Sequence, residues 1–460
     1  MSITVRFVCS ATIAYCILGA LIAPPALFHG PFSLYLDACV PSFLAQCFSV
    51  PVATCPKQLF SWLLPYVYEM FFNFFRGVVV LIVGVGVSQT SAAASTSYAA
   101  NAEAALTELQ TWYDTQNGLW NTTGWWNSAN CITVLGELAA VDSNVKAEVT
   151  SVFANTIVAA QNYNLAQSKI ITPEFNQETI WGPNDQVVAV NPKGFLNGFY
   201  DDEGWWALGW IQAYDVTGNT EYLNTAVDIF TDMKNGSSTP CSSGGGGIWW
   251  DKANTYVNAI ANELYLSVAS HLANRVTSQK TFYLGIAEDQ WTWFQNSGMI
   301  NKQSLINDGL TTACKNNNGT VWSYNQGVIL GALVELNKAA PSSSYLSTAH
   351  SIASAAITAL STNGILHDPC EPNCGADGSQ FKGIFMRNLQ ILQAASPDTS
   401  YLTFIQANAD SIWANDRNTA TNGLSVNWAG PFIGSANAST QSSATDALVA
   451  AVAFNGAGLG

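Results

Sequence analysis

The chain has 460 residues, of which 48% are hydrophobic and only 10% charged, with 16 Trp, 16 Tyr and 22 Phe. That is enough apolar material for a large core, so intrinsic disorder is excluded for most of the chain, and the surplus of aromatic over charged groups favours carbohydrate or apolar ligands. A formal charge of -15 with no basic cluster excludes a nucleic-acid partner.

Residues 1–69 hold an apolar stretch from Phe7 to Ala26. They read as an amino-terminal extension: a misplaced gene start or retained intron, or alternatively a membrane anchor at Phe7 to Ala23. Next come Met70-Phe-Phe-Asn-Phe-Phe-Arg76, the apolar run Val78 to Val87 and the small-residue segment Ser88 to Ala94. This order of charged, apolar and small residues is that of a signal peptide over 70–94, and the run is too short to span a bilayer. Residues 95–460 are then the exported domain. The carboxyl end, Asn455 to Gly460, is unlike the apolar tail that directs a GPI anchor, so secretion without an anchor is expected.

Five cysteines follow position 94, an odd count that leaves one thiol unpaired. Cys370 and Cys374 share a short loop and are expected to pair, as are Cys241 and Cys314, which lie in polar loops. Cys131 sits in an apolar run and is expected as a buried free thiol. The four histidines are scattered without ligand spacing, so no metal site is expected. Sequons occur at Asn121, Asn235, Asn318 and Asn437.

From Gly204, Trp206, Trp210 and Tyr214 recur on one helical face, Thr217-Gly-Asn219 breaks the helix, and Tyr222, Ala226, Ile229, Phe230 and Met233 form the stripe of a second helix. The opening of that second helix repeats at Tyr283, Tyr345 and Tyr401, at spacings of 61, 62 and 56 residues. The first helix of each pair carries a recurring aromatic entry, at Trp125-Trp126, Trp205-Trp206, Trp249-Trp250, Trp322-Ser-Tyr324 and Phe381, and these openings are expected at one end of the first-helix set. A period near 60 accommodates two helices with loops, so residues 95–460 are expected to form an all-α fold, an (α/α)6 toroid of six helical hairpins. An open solenoid would not explain the concentration of tryptophan.

The segment Gly198-Phe-Tyr-Asp201-Asp202-Glu203-Gly204-Trp205-Trp206 places three acids just before a helix. One acid suffices to cap it. Paired carboxylates among aromatics also suit glycoside hydrolysis, in which one group attacks or activates water and the other protonates the leaving oxygen. Capping and catalysis are both open on the motif alone. Adjacent α-carbons are about 3.8 Å apart, too close for the carboxyl separation of an inverting enzyme if both side chains face the cleft, and one of two such acids should hold a proton.

Over residues 98–454 the chain resembles glycoside hydrolase family 76, the endo-acting α-1,6-mannanases and related fungal cell-wall enzymes. The resemblance rests on Trp125-Trp-Asn-Ser-Ala-Asn-Cys131, the tandem Asp201-Asp202, Gly246-Gly-Ile-Trp-Trp-Asp251, Asn258-Ala-Ile-Ala-Asn-Glu263, Trp322-Ser-Tyr-Asn-Gln-Gly327 and Phe381-Lys-Gly-Ile-Phe-Met-Arg387. It implies a six-hairpin toroid needing no cofactor or metal, with Asp201 as nucleophile and Asp202 as acid/base. The implied substrate is α-1,6-linked mannan or a mannoprotein glycan, met by a monomer in the extracellular space or cell wall, with no stable membrane association unless the amino-terminal extension is real. Transglycosylation of wall glycans is the alternative activity.

Candidate sugar-stacking rings are Trp125, Trp126, Trp205, Trp206, Trp249 and Trp250, with one ring of each pair expected in the core. Candidate hydroxyl ligands are Asp251, Tyr324, Gln326, Lys382 and Arg387, each of which also reads as a structural polar group. Asp368, Glu371 and Asp377 read as solvated turn residues of the disulfide loop. A terpenoid cyclase fails on spacing, because its cation-binding acids lie about four positions apart on a helix. A noncatalytic mannan-binding wall protein is the remaining rival.

Overall fold

The computed structural model describes residues 98–162 and 195–455, together with the backbone of short strands between 164 and 188. The expected extension and signal peptide, residues 1–94, lie outside the described residues.

Among the described residues twelve long helices follow one another: α1 (98–110), α2 (Trp125–Val141), α3 (Lys146–Ala159), α4 (Tyr200–Thr217), α5 (Thr220–Met233), α6 (Ala259–Arg275), α7 (Lys280–Asn296), α8 (Ser323–Ala339), α9 (Ser343–Ala359), α10 (Phe381–Ala395), α11 (Thr399–Ser411) and α12 (Ala438–Ala453). The even-numbered helices pack in the order α2, α4, α6, α8, α10, α12 and back to α2, closing an inner ring. Outer helices back this ring. The last inner helix receives α1, since Gln441 Nε2 on α12 donates to the Ala105 carbonyl at 3.0 Å. The expected (α/α)6 toroid is thus the observed architecture.

Burial separates the two layers on sequence grounds. In α8 nearly every residue is buried, including Asn325, Gln326 and Glu335, as a helix surrounded on all sides requires. In α9 only Ala349, Ile352, Ala353 and Ala356 are buried, a single stripe at helical spacing. Small residues let inner helices approach closely: a Cβ on Gly327 would stand 2.6 Å from Phe385 Cα, and one on Gly383 would stand 2.5 Å from Ser443 Cα. The predicted break between α4 and α5 is a left-handed Gly218 at φ 73°, followed by Asn219, whose side chain accepts from the Glu221 amide.

The inner helices share a local device. In α2, α4, α6, α8 and α12 the fourth helical residue reaches back to the backbone of the preceding loop. Ser128 accepts from the Trp120 amide, Glu203 from Asn197, Asn262 from Ile248, Gln326 from Ile306 and Gln441 from Leu424, at 3.3, 3.0, 2.8, 2.8 and 2.7 Å. Asn262 and Gln326 also donate to the same residue's carbonyl. In α10 the fourth residue is Ile384, and Asn408 of α11 accepts from Leu366 instead. These bonds satisfy buried backbone groups and fix the loops that surround the helix N-termini.

Strands are short two-stranded pairs: β1 (Tyr113–Asp114) with β2 (Leu119–Trp120), β3 (Asn164–Leu165) with β6 (Val187–Val188), β4 (Gln167–Ile171) with β5 (Gln177–Trp181), and β7 (Ser361–Thr362) with β8 (Ile365–Leu366). Both expected disulfides are present, Cys241 to Cys314 and Cys370 to Cys374, and Cys131 is free and buried. Among the described residues no helix is long and apolar enough to cross a membrane.

Candidate active site

The N-termini of α2, α4, α8 and α10 lie at one end of the ring, as contacts between rings near their starts show. Trp126 of α2 stacks on Trp205 of α4 at 5.7 Å, Trp205 on Tyr324 of α8 at 6.5 Å, and Tyr324 on Phe381 of α10 at 3.8 Å between ring centroids. Trp126 also meets Phe381, which closes a four-membered aromatic ring across the toroid.

Asp201 and Asp202 stand beside this ring in the first turn of α4, which begins at Tyr200, four residues before Gly204, so the acids lie within the helix and not before it. Both are buried. The unpaired amides of a first helical turn favour negative charge there. Asp201 accepts from the Trp250 indole through Oδ2 and from the Asp202 amide through Oδ1, both at 3.0 Å. Asp202 Oδ2 accepts from Asn197 Nδ2 at 2.6 Å. Glu203 belongs to the loop clamp, and Lys252 pairs with it at 2.7 Å and with Asp232 at 2.6 Å. The third acid of the motif is therefore structural.

Further acids reach the same place from distant sequence. Asp308 lies within the segment closed by the Cys241 to Cys314 disulfide, and Tyr256 donates to its Oδ2 at 2.6 Å. Burial pushes its carboxyl up to about 7 against the pull of that hydrogen bond, and the charge of Asp201 adds to the rise. Glu263 of α6 is fully buried with neither carboxylate oxygen hydrogen-bonded, and burial followed by the charge of Asp308 holds its pKa well above the usual range. Burial raises the Tyr324 hydroxyl in the same way, helped by Asp308, Asp201, Glu263 and Asp377. Asp377 accepts from the Trp126 indole at 2.9 Å. Sequence reasoning missed Asp308, Tyr256 and Glu263. Only Glu263, within a quoted motif, carried any local signal.

The structure sets Trp250 on Asp201, joins Trp126, Trp205 and Tyr324 in the adjoining aromatic ring, and disperses the other candidates. Trp125 and Trp206 pack on each other at 5.5 Å in the core, and in both the 125–126 and the 205–206 pairs the two rings are buried, not one of each as expected. Trp249 and Trp250 precede α6 in an extended segment, where residues 199 and 251 pair; Trp249 is half-buried. Asp251 is held by the Thr255 amide at 2.8 Å and the Thr255 hydroxyl at 2.6 Å, a turn role. Gln326 is a loop clamp. Lys382 is buried against Glu371 at 2.8 Å, the Val426 carbonyl at 2.6 Å and the Trp428 ring. Arg387 lies deeper in the toroid, against Asp446 and Asn130, beside a cavity of ≈ 50 Å³ that Trp205, Glu137 and His271 also line. The acids of the disulfide loop are mostly enclosed: Asp368 accepts from the Ser323 amide and hydroxyl at the start of α8, and Glu371 holds Lys382. Among the described residues no group of three His, Cys, Asp or Glu is placed to hold a metal.

A family model described as glycosyl hydrolase family 76 matches residues 90–458. The mannan endo-1,6-alpha-mannosidase DFG5 of Saccharomyces cerevisiae is 26% identical over 237 residues, 49% of this chain and 48% of that protein. The match thus spans about half the length of this curated relative. The Lin0763 protein of Listeria innocua superimposes with TM-score 0.64 at 23% identity, covering 77% of this chain and 96% of that one. An inactive variant of an α-1,6-mannanase from a Salegentibacter species, with two adjacent aspartates replaced by asparagine and α-1,6-mannotriose bound, superimposes with TM-score 0.62 at 20% identity, covering 78% and 99%.

Proposed function

Because the chain belongs to glycosyl hydrolase family 76, we propose that it hydrolyses α-1,6-mannosidic linkages within mannan, with Asp201 as nucleophile and Asp202 as acid/base. The observation that carries this reading is the tandem carboxylate pair in the first turn of α4, beside the aromatic ring at the mouth of the toroid. The inactive double-aspartate variant of the Salegentibacter mannanase supports it, as does the activity named for the yeast relative.

In the first displacement a bond forms between an Asp201 oxygen and C1 of the mannosyl unit as the bond from C1 to the leaving oxygen breaks, and the Asp202 proton passes to that oxygen. In the second, water adds to C1, its proton returns to Asp202 and the Asp201 carboxylate is released. Two inversions give net retention. A sugar hydroxyl in place of water would give transfer. The two disulfides suit an oxidising compartment, in keeping with a monomer acting outside the cell or in its wall.

The test is incubation of the purified protein with unbranched α-1,6-mannan, following product size and anomeric configuration by NMR beside Asp201→Asn and Asp202→Asn. Short α-anomeric products from the wild type alone are expected. β-Anomeric products would overturn the retaining mechanism, and mannan binding without cleavage by any form would point to a wall-binding protein.

A further inference from the structure

Trp250 is the seat of an inference that rests on reading Asp201 as the nucleophile. Its ring is enclosed by Phe199 at 5.0 Å and Tyr256 at 6.2 Å between centroids. Its backbone is pinned by two further bonds, from its amide to the Tyr256 carbonyl at 2.8 Å and from the Tyr200 amide to its own carbonyl at 2.9 Å. The residue that donates to Asp201 is thus fixed to Tyr200, the residue directly before Asp201.

Packing alone does not demand that bond. The indole nitrogens of Trp120, Trp125, Trp206, Trp210 and Trp428 are buried with no hydrogen-bond partner, so this fold accommodates tryptophans whose N–H is unsatisfied. At Trp250 the N–H meets a carboxylate instead, and a bond to a charged acceptor is roughly twice as strong as a neutral one.

We propose that Trp250 is a positioning residue for the nucleophile: its indole N–H holds Asp201 Oδ2, fixing the carboxylate's rotation before attack and after release of the ester. The indole proton stays on nitrogen through both displacements. In the covalent intermediate Oδ2 is the carbonyl oxygen and keeps the bond, while Oδ1 is bonded to C1. Trp250 also joins the nucleophile to Tyr256, and so to Asp308, through one rigid segment.

The experiment compares wild type, Trp250→Phe and Asp201→Asn. Phenylalanine keeps an aromatic ring between Phe199 and Tyr256 and removes the donor. The expected result on α-1,6-mannan is a fall in kcat/KM of roughly tenfold to hundredfold, carried by kcat with KM little changed. Unchanged kcat in Trp250→Phe, with the wild type active, would overturn the inference and leave the hydrolase reading intact. An activity-independent measurement compares the Trp250 indole resonance in 15N-tryptophan-labelled wild type and Asp201→Asn. It should shift clearly when the carboxylate acceptor becomes a neutral amide. If it shifts in this way but the wild type cleaves no mannan, the anchor stands and the hydrolase reading falls. An indole signal insensitive to Asp201→Asn would sink the anchor, whether or not Trp250→Phe folds.

Discussion

Trp126 and Asp377 are joined by an indole-to-carboxylate hydrogen bond of 2.9 Å that ties the first turn of α2 to the disulfide loop in front of α10. The same loop supplies Asp368 to the start of α8 and Glu371 to buried Lys382. The Cys370 to Cys374 bridge therefore sits within a segment, 368–377, that touches three inner helices. Asp377→Ala should leave the Trp126 N–H unpaired, costing about 1–3 kcal/mol, and loosen the aromatic ring. Mannan turnover should fall, while Asp377→Asn, which keeps an acceptor, should recover part of it. Equal activity in all three proteins would show that the bond does not support the site.

Gln326 looks like a sugar ligand in sequence and acts as a clamp in the fold. Gln326→Ala removes an acceptor and a donor from the Ile306 backbone. The expected outcome is a loss of about 1–3 kcal/mol per group left unpaired, read as a Tm lowered by several degrees, with the KM for mannan close to wild type. A raised KM at unchanged Tm would return Gln326 to the binding site.

The contrast shows what the sequence makes legible. Helical period, the Gly218 break and the recurring tyrosines report local geometry, and these produced the hairpins and their number. The tandem aspartates announced themselves because neighbouring carboxylates among tryptophans are unusual. The roles of Gln326, Lys382 and Arg387 were not legible, since each partner is set by a loop or helix that only the folded ring brings near, whereas Asp251 is held by Thr255 four residues on, a local turn that the sugar-ligand reading passed over. Asp308 was hidden for the same reason: its partner Tyr256 is 52 residues away and nothing in Ile306 to Gly309 marks it as buried. A polar residue at the fourth position of an inner helix is a local signal that could have identified the clamps.

The sequons differ in access. Asn121, Asn235 and Asn318 are exposed, whereas Asn437 is the N-cap of α12: its side chain accepts from the Thr440 amide, and Ala438 and Ser439 are buried. When the protein is made through a eukaryotic secretory route, glycans are expected at the first three and not at Asn437. Deglycosylation in heavy-oxygen water followed by peptide mass spectrometry reads each site, and full occupancy at Asn437 would contradict the capped geometry.

Stability should decline from mildly acidic towards alkaline pH. Burial pushes Asp308 and Asp416 up to about 7, against hydrogen bonds from Tyr256 and Ser425, and burial likewise raises the Glu137 and Asp446 pair despite the opposing charge of Arg387. An acid that binds its proton more tightly when folded contributes stability fully below its unfolded pKa, about 4, and that contribution is lost as pH rises through the folded value. Glu335 has the opposite sign. Burial raises its pKa, but His271, Arg275 and Lys338 outweigh burial and hold it far below the usual carboxylate range, so its contribution is present above about pH 4 and is lost only in stronger acid. Tm is therefore expected to be highest near pH 4–6 and to fall as pH rises through about 7. Asp446→Asn should flatten that fall, and Glu335→Gln should lower Tm at neutral pH with a difference that shrinks in strong acid. Thermal melts of the three proteins from pH 3 to pH 9 measure all of this; a Tm that climbs between pH 6 and pH 8 would mean that these buried acids are ionised in the folded protein.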